Sequence, residues 1–574
     1  MFVHKKRTVS NPQYDSIIIG SGAGGLTAAI CLAMEGEKVL VLERHYVPGG
    51  WCHSFLLNGQ KFSPGVHYIG ECQENGRTRK MFEDLEIANE LVMFKMKEDG
   101  FEHARVGDVG FDYPANREGF KKKLLERFPE EKKGIEKYLK LVEATQIFLT
   151  ELVDSERGID KLKLFVKSPK AVRFAFSTLD KVTNRYIKNP YLKAILNVQW
   201  GNHGVLPKEA SFIYHCGVTN HYANGGYYPM GGGAALVKAM TNTLKRYGGE
   251  VRTGVDVSKI LIENGKAFGV EIKDGEKIYA TNVISNADPH TTYNRLVGSN
   301  LISSKLKKKL AKTKYSYASF LMFITLDIDP TKYGLDSGNY WMSQNSDINS
   351  LINNDSLEGL MKLEKFPMTF ISSSTLKDPV SFDGKHVNIE LVTFIEQGLF
   401  DKVDEMDKLE YDKMKKRISE MLLNNLEVLI PDVREHVVQM EIGTPNTNKR
   451  YINATGGNVY GIHKTFDQLG PGGYSPKSEI KNLFMCGSST LSHGVAGAMN
   501  SGVEAAKAVL NKTRTEILPG FEGQHLRIFS VEDPDSFSDF LKSKIETRKK
   551  RMKSINEHTF LKHQDPKSKK VTGA

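Results

Sequence analysis

The sequence predicts an α/β protein in which a Rossmann-type dinucleotide-binding domain is interleaved with a mixed β-sheet and a helical substrate domain. Two observations predict this. Residues 14–50 (YDSIIIGSGAGGLTAAICLAMEGEKVLVLERHYVPGG) read as a strand, a glycine turn, a helix, a second strand and a second glycine pair. Residues 481–487 (KNLFMCG) read as a closing strand, and 494–507 (GVAGAMNSGVEAAK) as a small-residue helix packed against it. With nucleotide signals near both ends of a 574-residue chain, the domains must be interleaved rather than strung in series.

Each element has a local reason. Ile17, Ile18 and Ile19 are a β-branched run of the kind that forms a buried parallel strand. The run enters Gly20-Ser21-Gly22-Ala23-Gly24-Gly25. In this G-x-G-x-x-G spacing Gly20 permits the tight turn, Gly22 lets backbone approach a pyrophosphate, and Gly25 lets the next helix pack close to the strand. Residues 26–34 carry Ala and Leu at helical spacing, so free N–H groups of the helix would point at the phosphates. After Gly36, residues 38–42 form the second strand, and Glu43 closes it eighteen positions past Gly25, where a carboxylate meets a ribose hydroxyl. Residues 251–260, 265–276 and 282–288 read as hairpin strands returning to the sheet.

The continuation after Glu43 narrows the dinucleotide. Arg44 with Gly49-Gly50 resembles the E-R-x-x-x-x-G-G pattern of flavoproteins built like amine oxidases and phytoene desaturases, whose nucleotide domain is of the glutathione-reductase type. The resemblance implies FAD, with Gly49-Gly50 passing close to it. It places Val257 against adenine and Asn286 at a strand end near the cofactor. It also lays Gly487, Ser488, Gly497 and Ala498 over the flavin. The family has an acidic residue where this chain has Ser488, and a hydroxyl binds a ribityl oxygen less strongly than a carboxylate does. No second complete G-x-G-x-x-G follows a strand, so NAD(P)H is expected only as a transient reductant.

Three further phrases carry a closer resemblance: GVHYIG at 65–70, QWG with the downstream P and SF in 199–212, and GGYYPMGG at 225–232. Together they resemble the retinol saturase branch of the carotenoid desaturase and isomerase superfamily. That resemblance implies an FAD-dependent oxidoreductase acting on a carbon–carbon double bond of an apolar polyene, such as a retinoid, a carotenoid or a polyunsaturated lipid, most simply by saturation. Desaturation and cis–trans isomerisation use the same flavin and the same slot. Flavin carries the two electrons, so the protein must supply a dry slot and a proton source. His67 and Tyr68, just past the second glycine pair, are the candidates to line the slot or donate the proton. The competing reading is a local hydrogen bond for His67 and core packing for Tyr68. A non-catalytic carrier resembling GDP-dissociation inhibitors is the alternative of another class, and an amine oxidase is a third.

Composition bounds the partners. Net charge is +11, and residues 161–193 hold nine Lys or Arg against the single acid Asp180, interleaved with apolar side chains. Such a basic amphipathic stretch suits either a solvated helical face or peripheral contact with an anionic membrane. No nucleic-acid module accompanies it. No apolar run approaches the roughly 18 residues of a membrane span, and the N-terminus lacks a signal-peptide core. The five cysteines form no C-x-x-C pair, which suggests reduced thiols, and Cys52 is expected to be a packed thiol. His203, His215 and His221 form no metal-ligand motif. A cytoplasmic protein, in contact with membranes at most peripherally, is the expectation; oligomeric state is open. The expected organisation assigns 1–100, 226–300 and 441–512 to the FAD-binding domain, 101–225 to a helical substrate- and membrane-facing region and 301–440 to a substrate domain with an antiparallel sheet. Residues 513–574 are expected to be a basic peripheral tail.

Overall fold

The structure, a computed structural model, describes residues 12–155, 158–352, 356–400 and 406–550. Its nucleotide-binding half is a sheet in which Glu250–Thr253, Val39–Glu43, Tyr14–Ile19, the end of Lys277–Ser285 and Leu483–Met485 lie side by side and parallel. Ile18 sits between Val41 and Ile284, and all three are buried, as a strand covered on both faces requires. The helices Ala23–Met34, Gly233–Arg246 and Gly494–Leu510 contribute to the core on one face. The other face is covered by a meander of Val257–Glu263, Lys266–Ile272 and the start of Lys277–Ser285. Residues 251–260 do not form one strand. Positive-φ Gly254 breaks them, leaving Glu250–Thr253 parallel to Val39–Glu43 while the meander begins at Val257.

A second sheet of seven strands runs Val437–Gly443, Ala318–Leu326, Val387–Ile395, Met368–Ser372, Asn339–Ser343, Asp99–Val106, Val109–Pro114. Its pairings are antiparallel except where Asn339–Ser343 meets Asp99–Val106. Ala318–Leu326 shows why both faces are apolar. Phe320, Met322 and Ile324 pack toward the helix Lys408–Leu426, whereas Leu321 and Phe323 join the core shared with the helical region. The strand's period of two thus serves two cores at once.

The C-terminal stretch departs from the expected peripheral tail. Arg527–Ser530 adds a parallel strand to Val92–Lys95, and Phe537 and Leu541 bury themselves against Val92 and Phe94. Apolar anchors between the charges hold it in place. Residues 551–574, the rest of that expected tail, lie outside the described residues. No helix of the described residues is long and apolar enough to cross a membrane.

Candidate active site

A cavity of about 1910 Å³ joins the two halves. It exceeds the roughly 300–1,000 Å³ of a small-molecule pocket, leaving room for a dinucleotide and an elongated second molecule. Gly20, Gly22, Ala23 and Gly24 line one end together with Glu43, Arg44, Gly49, Gly50, Val257, Asn286, Gly487, Ser488, Gly497 and Ala498. His67 and Tyr68 line it farther along. Ser21 and Gly25 differ from the other loop residues and stand behind the wall.

The cradle is made of backbone. A Cβ on Gly25 would lie 2.1 Å from the Gly20 carbonyl oxygen, and one on Gly24 would lie 2.9 Å from both the Ala498 oxygen and the Gly487 nitrogen. Glycine therefore seats the first helix against the strand and against the C-terminal helix. Ser21 is a strut. Its N–H and hydroxyl donate to Glu43 Oε2 (2.9 and 2.6 Å), and its oxygen accepts the Gly49 N–H (2.9 Å). Glu43 Oε1 accepts the His45 N–H (2.8 Å). These bonds tie the two glycine motifs together, and a Cβ on Gly50 would come within 3.3 Å of Gly22 Cα. Asn286 fits under the loop, with Nδ2 2.7 Å from where a Gly22 Cβ would be, and Arg44 reaches across to the Arg450 carbonyl (2.5 Å).

FAD fits this cradle. The helices Ala23–Met34 and Gly494–Leu510 both begin at the cavity without a side-chain cap. Their first N–H groups are therefore free for anionic or carbonyl oxygens, as a pyrophosphate and a flavin ring supply. Bound there, FAD would supply two-electron redox chemistry. All five cysteines are unpaired and buried, and burial pushes the Cys52 thiol up to about 12, so it is a packing group and not a nucleophile.

The rest of the wall is made of side chains. Leu321, Trp341, Phe370, Val392, Phe394 and Tyr460 give it an apolar surface. His67 stands 5.2 Å from the Phe370 ring, ring centre to ring centre, and burial with the neighbouring Lys377 charge lowers its pKa to about 3. It is neutral at physiological pH and a poor proton donor there. Tyr68 stacks on Tyr222 (4.2 Å), accepts from Asn202 Nδ2 (2.7 Å) and is hydrogen-bonded to Glu102. The Asn202 carbonyl accepts His493 Nε2 (2.5 Å), which leaves His493 Nδ1 to accept the Tyr214 hydroxyl (2.9 Å). His493 is the N-cap of the C-terminal helix, so Tyr68 is tied through Asn202 to the cofactor end of the cavity.

Sequence reasoning missed Glu102, Lys377 and Lys464. Lys377 is wholly buried and donates to the His67 carbonyl (2.9 Å), Ser372 Oγ (2.5 Å) and Asn339, while burial lowers its pKa well below the ordinary lysine value. Lys464 donates to the Ser488 carbonyl (2.9 Å). The only signal in the sequence was a charged residue inside an otherwise apolar or turn-like stretch.

The apolar wall continues to the surface. Val153, Phe165, Ala175 and Phe176 line the cavity at the helical region. There Ile159, Leu162 and Val166 form an outward stripe at helical spacing, 63–77% exposed, with Lys163, Lys167, Lys170 and Arg173 beside it.

Comparison with known proteins places this architecture. The chain is 28% identical over 527 residues to the all-trans-retinol 13,14-reductase of Danio rerio, covering 87% of this chain and 86% of that one. It is 27% identical over 516 residues to prolycopene isomerase 2 of an Oncidium hybrid cultivar, covering 87% and 84%. The crystal structure of an oxidoreductase from Methanosarcina mazei shares the fold, with a TM-score of 0.58 at 18% identity over 87% of this chain and 100% of that one. The profile of flavin containing amine oxidoreductases matches residues 23–319, more than half of the chain. With its uncapped helix ends, its paired glycine motifs and that match, the chain belongs to the flavin containing amine oxidoreductase family.

Proposed function

We propose that this protein is an FAD-dependent oxidoreductase that saturates a carbon–carbon double bond of an apolar polyene of the retinoid or carotenoid class. The observation that carries the reading is the single cavity running from the backbone-built cradle, along an aromatic and aliphatic wall, to an exposed apolar mouth. An elongated hydrocarbon fills such a slot, and its double bond needs only positioning, exclusion of water, a hydride and a proton. The retinol reductase relatives favour saturation. Anaerobic incubation with FAD, all-trans-retinol and a nicotinamide or chemical reductant, followed by chromatography, is expected to yield a product two hydrogens heavier. Unchanged retinol rejects the reading for that substrate.

A second reading is redox-neutral isomerisation, favoured by the prolycopene isomerase relatives. A product of unchanged mass and altered double-bond geometry selects it. A colourless protein that cannot be reconstituted with FAD would favour the non-catalytic carrier.

The polyene reaches the mouth from an anionic bilayer surface. The exposed stripe Ile159, Leu162, Val166, with Phe176, offers an insertion face, and Lys163, Lys167, Lys170 and Arg173 offer charges for the headgroups. Co-sedimentation with vesicles containing phosphatidylserine is expected, with weaker capture by neutral vesicles and after Leu162→Glu/Val166→Glu. Equal capture in all cases rejects it.

A further inference from the structure

Behind Tyr68 lies a carboxyl group with no cation among its hydrogen-bond partners. Glu102 is wholly buried in the strand Asp99–Val106. Its Oε1 is hydrogen-bonded to the Tyr68 hydroxyl and accepts the Trp341 indole N–H (3.3 Å), and its Oε2 accepts Gln199 Nε2 (2.7 Å). All three partners are uncharged, and since the Trp341 and Gln199 nitrogens can only donate, a protonated Glu102 gives its own proton to the Tyr68 oxygen, which frees the Tyr68 O–H to turn to the cavity. Burial disfavours the ionised form and pushes the Glu102 carboxyl above its usual range, against the more distant charges of His103 and Lys377. Of its hydrogen-bond partners Tyr68 and Trp341 line the cavity, and of these two the Tyr68 hydroxyl is the one that can both take up and release a proton. Tyr68 is in turn tied through Asn202 to the N-cap of the C-terminal helix, at the end of the cavity that fits the cofactor.

We propose that Tyr68 and Glu102 form a proton relay for alkene reduction, with Tyr68 the donor to carbon and Glu102 the positioning acid that resupplies it. The relay rests on the polyene-saturation reading. As a hydride adds to one alkene carbon, the π bond breaks and its electron pair moves to the neighbouring carbon. That carbon takes the proton of the Tyr68 hydroxyl. The phenolate oxygen then takes the proton of the Glu102 carboxyl, which is left as carboxylate and is reprotonated through the Tyr68 hydroxyl from water entering the emptied cavity between turnovers. The two electrons come from a reduced nicotinamide or a chemical reductant by way of the flavin. His67, neutral and without its own acid behind it, is left to line the slot.

The relay predicts a pH effect. Tyr68, Tyr113, Tyr222, His103 and Lys377 face Glu102; burial holds the three tyrosines well above their ordinary range, and His103 is paired to Asp112 and Asp336. Turnover of wild type should fall on the alkaline side as Glu102 loses its proton.

The test uses the full-length FAD-loaded protein together with Y68F and E102Q, both nearly isosteric. Their flavin spectra are expected to match wild type, and Y68F should slow polyene reduction by at least about 100-fold, the lower range of general-acid contributions. E102Q should be slowed as well and should lose the alkaline limb, although Lys377 is still present. Infrared spectroscopy of the resting protein should show a carboxylic-acid C=O stretch that moves in D2O and vanishes in E102Q. Absence of that band, or wild-type rates in either variant, overturns the relay alone. A wild type that reduces no polyene removes the saturation reading and the relay with it, whatever the infrared spectrum shows.

Discussion

The two ends of the cavity are built from different materials. The cradle is backbone: uncapped helix ends, glycines in close contact and a serine strut between two loops. The slot is side chains: an aromatic and aliphatic wall with Tyr68 and Glu102 set into it. A backbone site holds one cofactor and tolerates little substitution. A side-chain site can be recut for another substrate while its strands stay in place. Relatives whose names specify a retinol reductase and a prolycopene isomerase fit that division.

Breaking the cradle should have the largest effect. Gly25→Val puts a side chain 2.1 Å from the Gly20 carbonyl, where only backbone could give way. The variant is expected to lose FAD and most of its soluble yield, whereas Gly36→Ala, with nothing within 4 Å, costs only about 1–2 kcal/mol for its left-handed backbone. Flavin absorbance per protein and a melting curve measure both. Equal behaviour of the two would mean that close approach does not build the cradle.

The next test lies where the two materials meet. Lys464 is 1% exposed beneath Ser488, and burial lowers its pKa from 10.5 to about 7. Between those values the unfolded chain binds the proton that the folded protein lacks, so this group makes stability rise with pH across the window. Below about 7 both states hold the proton and the effect levels off. Lys464→Met should flatten that rise in a series of melting curves from pH 7 to 10. A variant curve parallel to wild type would place the lysine's titration elsewhere.

Ser488→Asp should have the smallest effect. A charged hydrogen bond exceeds a neutral one by about 1 kcal/mol, so FAD affinity should tighten about fivefold, as read by flavin fluorescence quenching. An unchanged affinity would mean that residue 488 does not reach the ribityl chain.

The same division explains what the sequence showed. The cradle was legible because its logic is local: Gly20, Gly22, Gly25 and Glu43 fall within one strand–helix–strand unit, and a spacing rule captures them. Even there, only the fold shows that both donors of Ser21 turn to Glu43. The slot was illegible because its partners meet through pairing. Glu102 faces Trp341 only because Asp99–Val106 lies parallel to Asn339–Ser343 across some 240 residues of chain. A charged letter within 99–106 looks the same whether it faces water or a tyrosine. Nothing local in the sequence marks Lys377 as buried, for the same reason.

The contact of Gly24 with Gly487 and Ala498 also sets a timetable. The phosphate turn precedes the surface it closes against by more than 460 residues, and Leu483–Met485 must still dock beside Lys277–Ser285. Pairings so distant in sequence form slowly and late. The glycine turn alone is therefore half a cradle, completed only when the helix Gly494–Leu510 has docked against it.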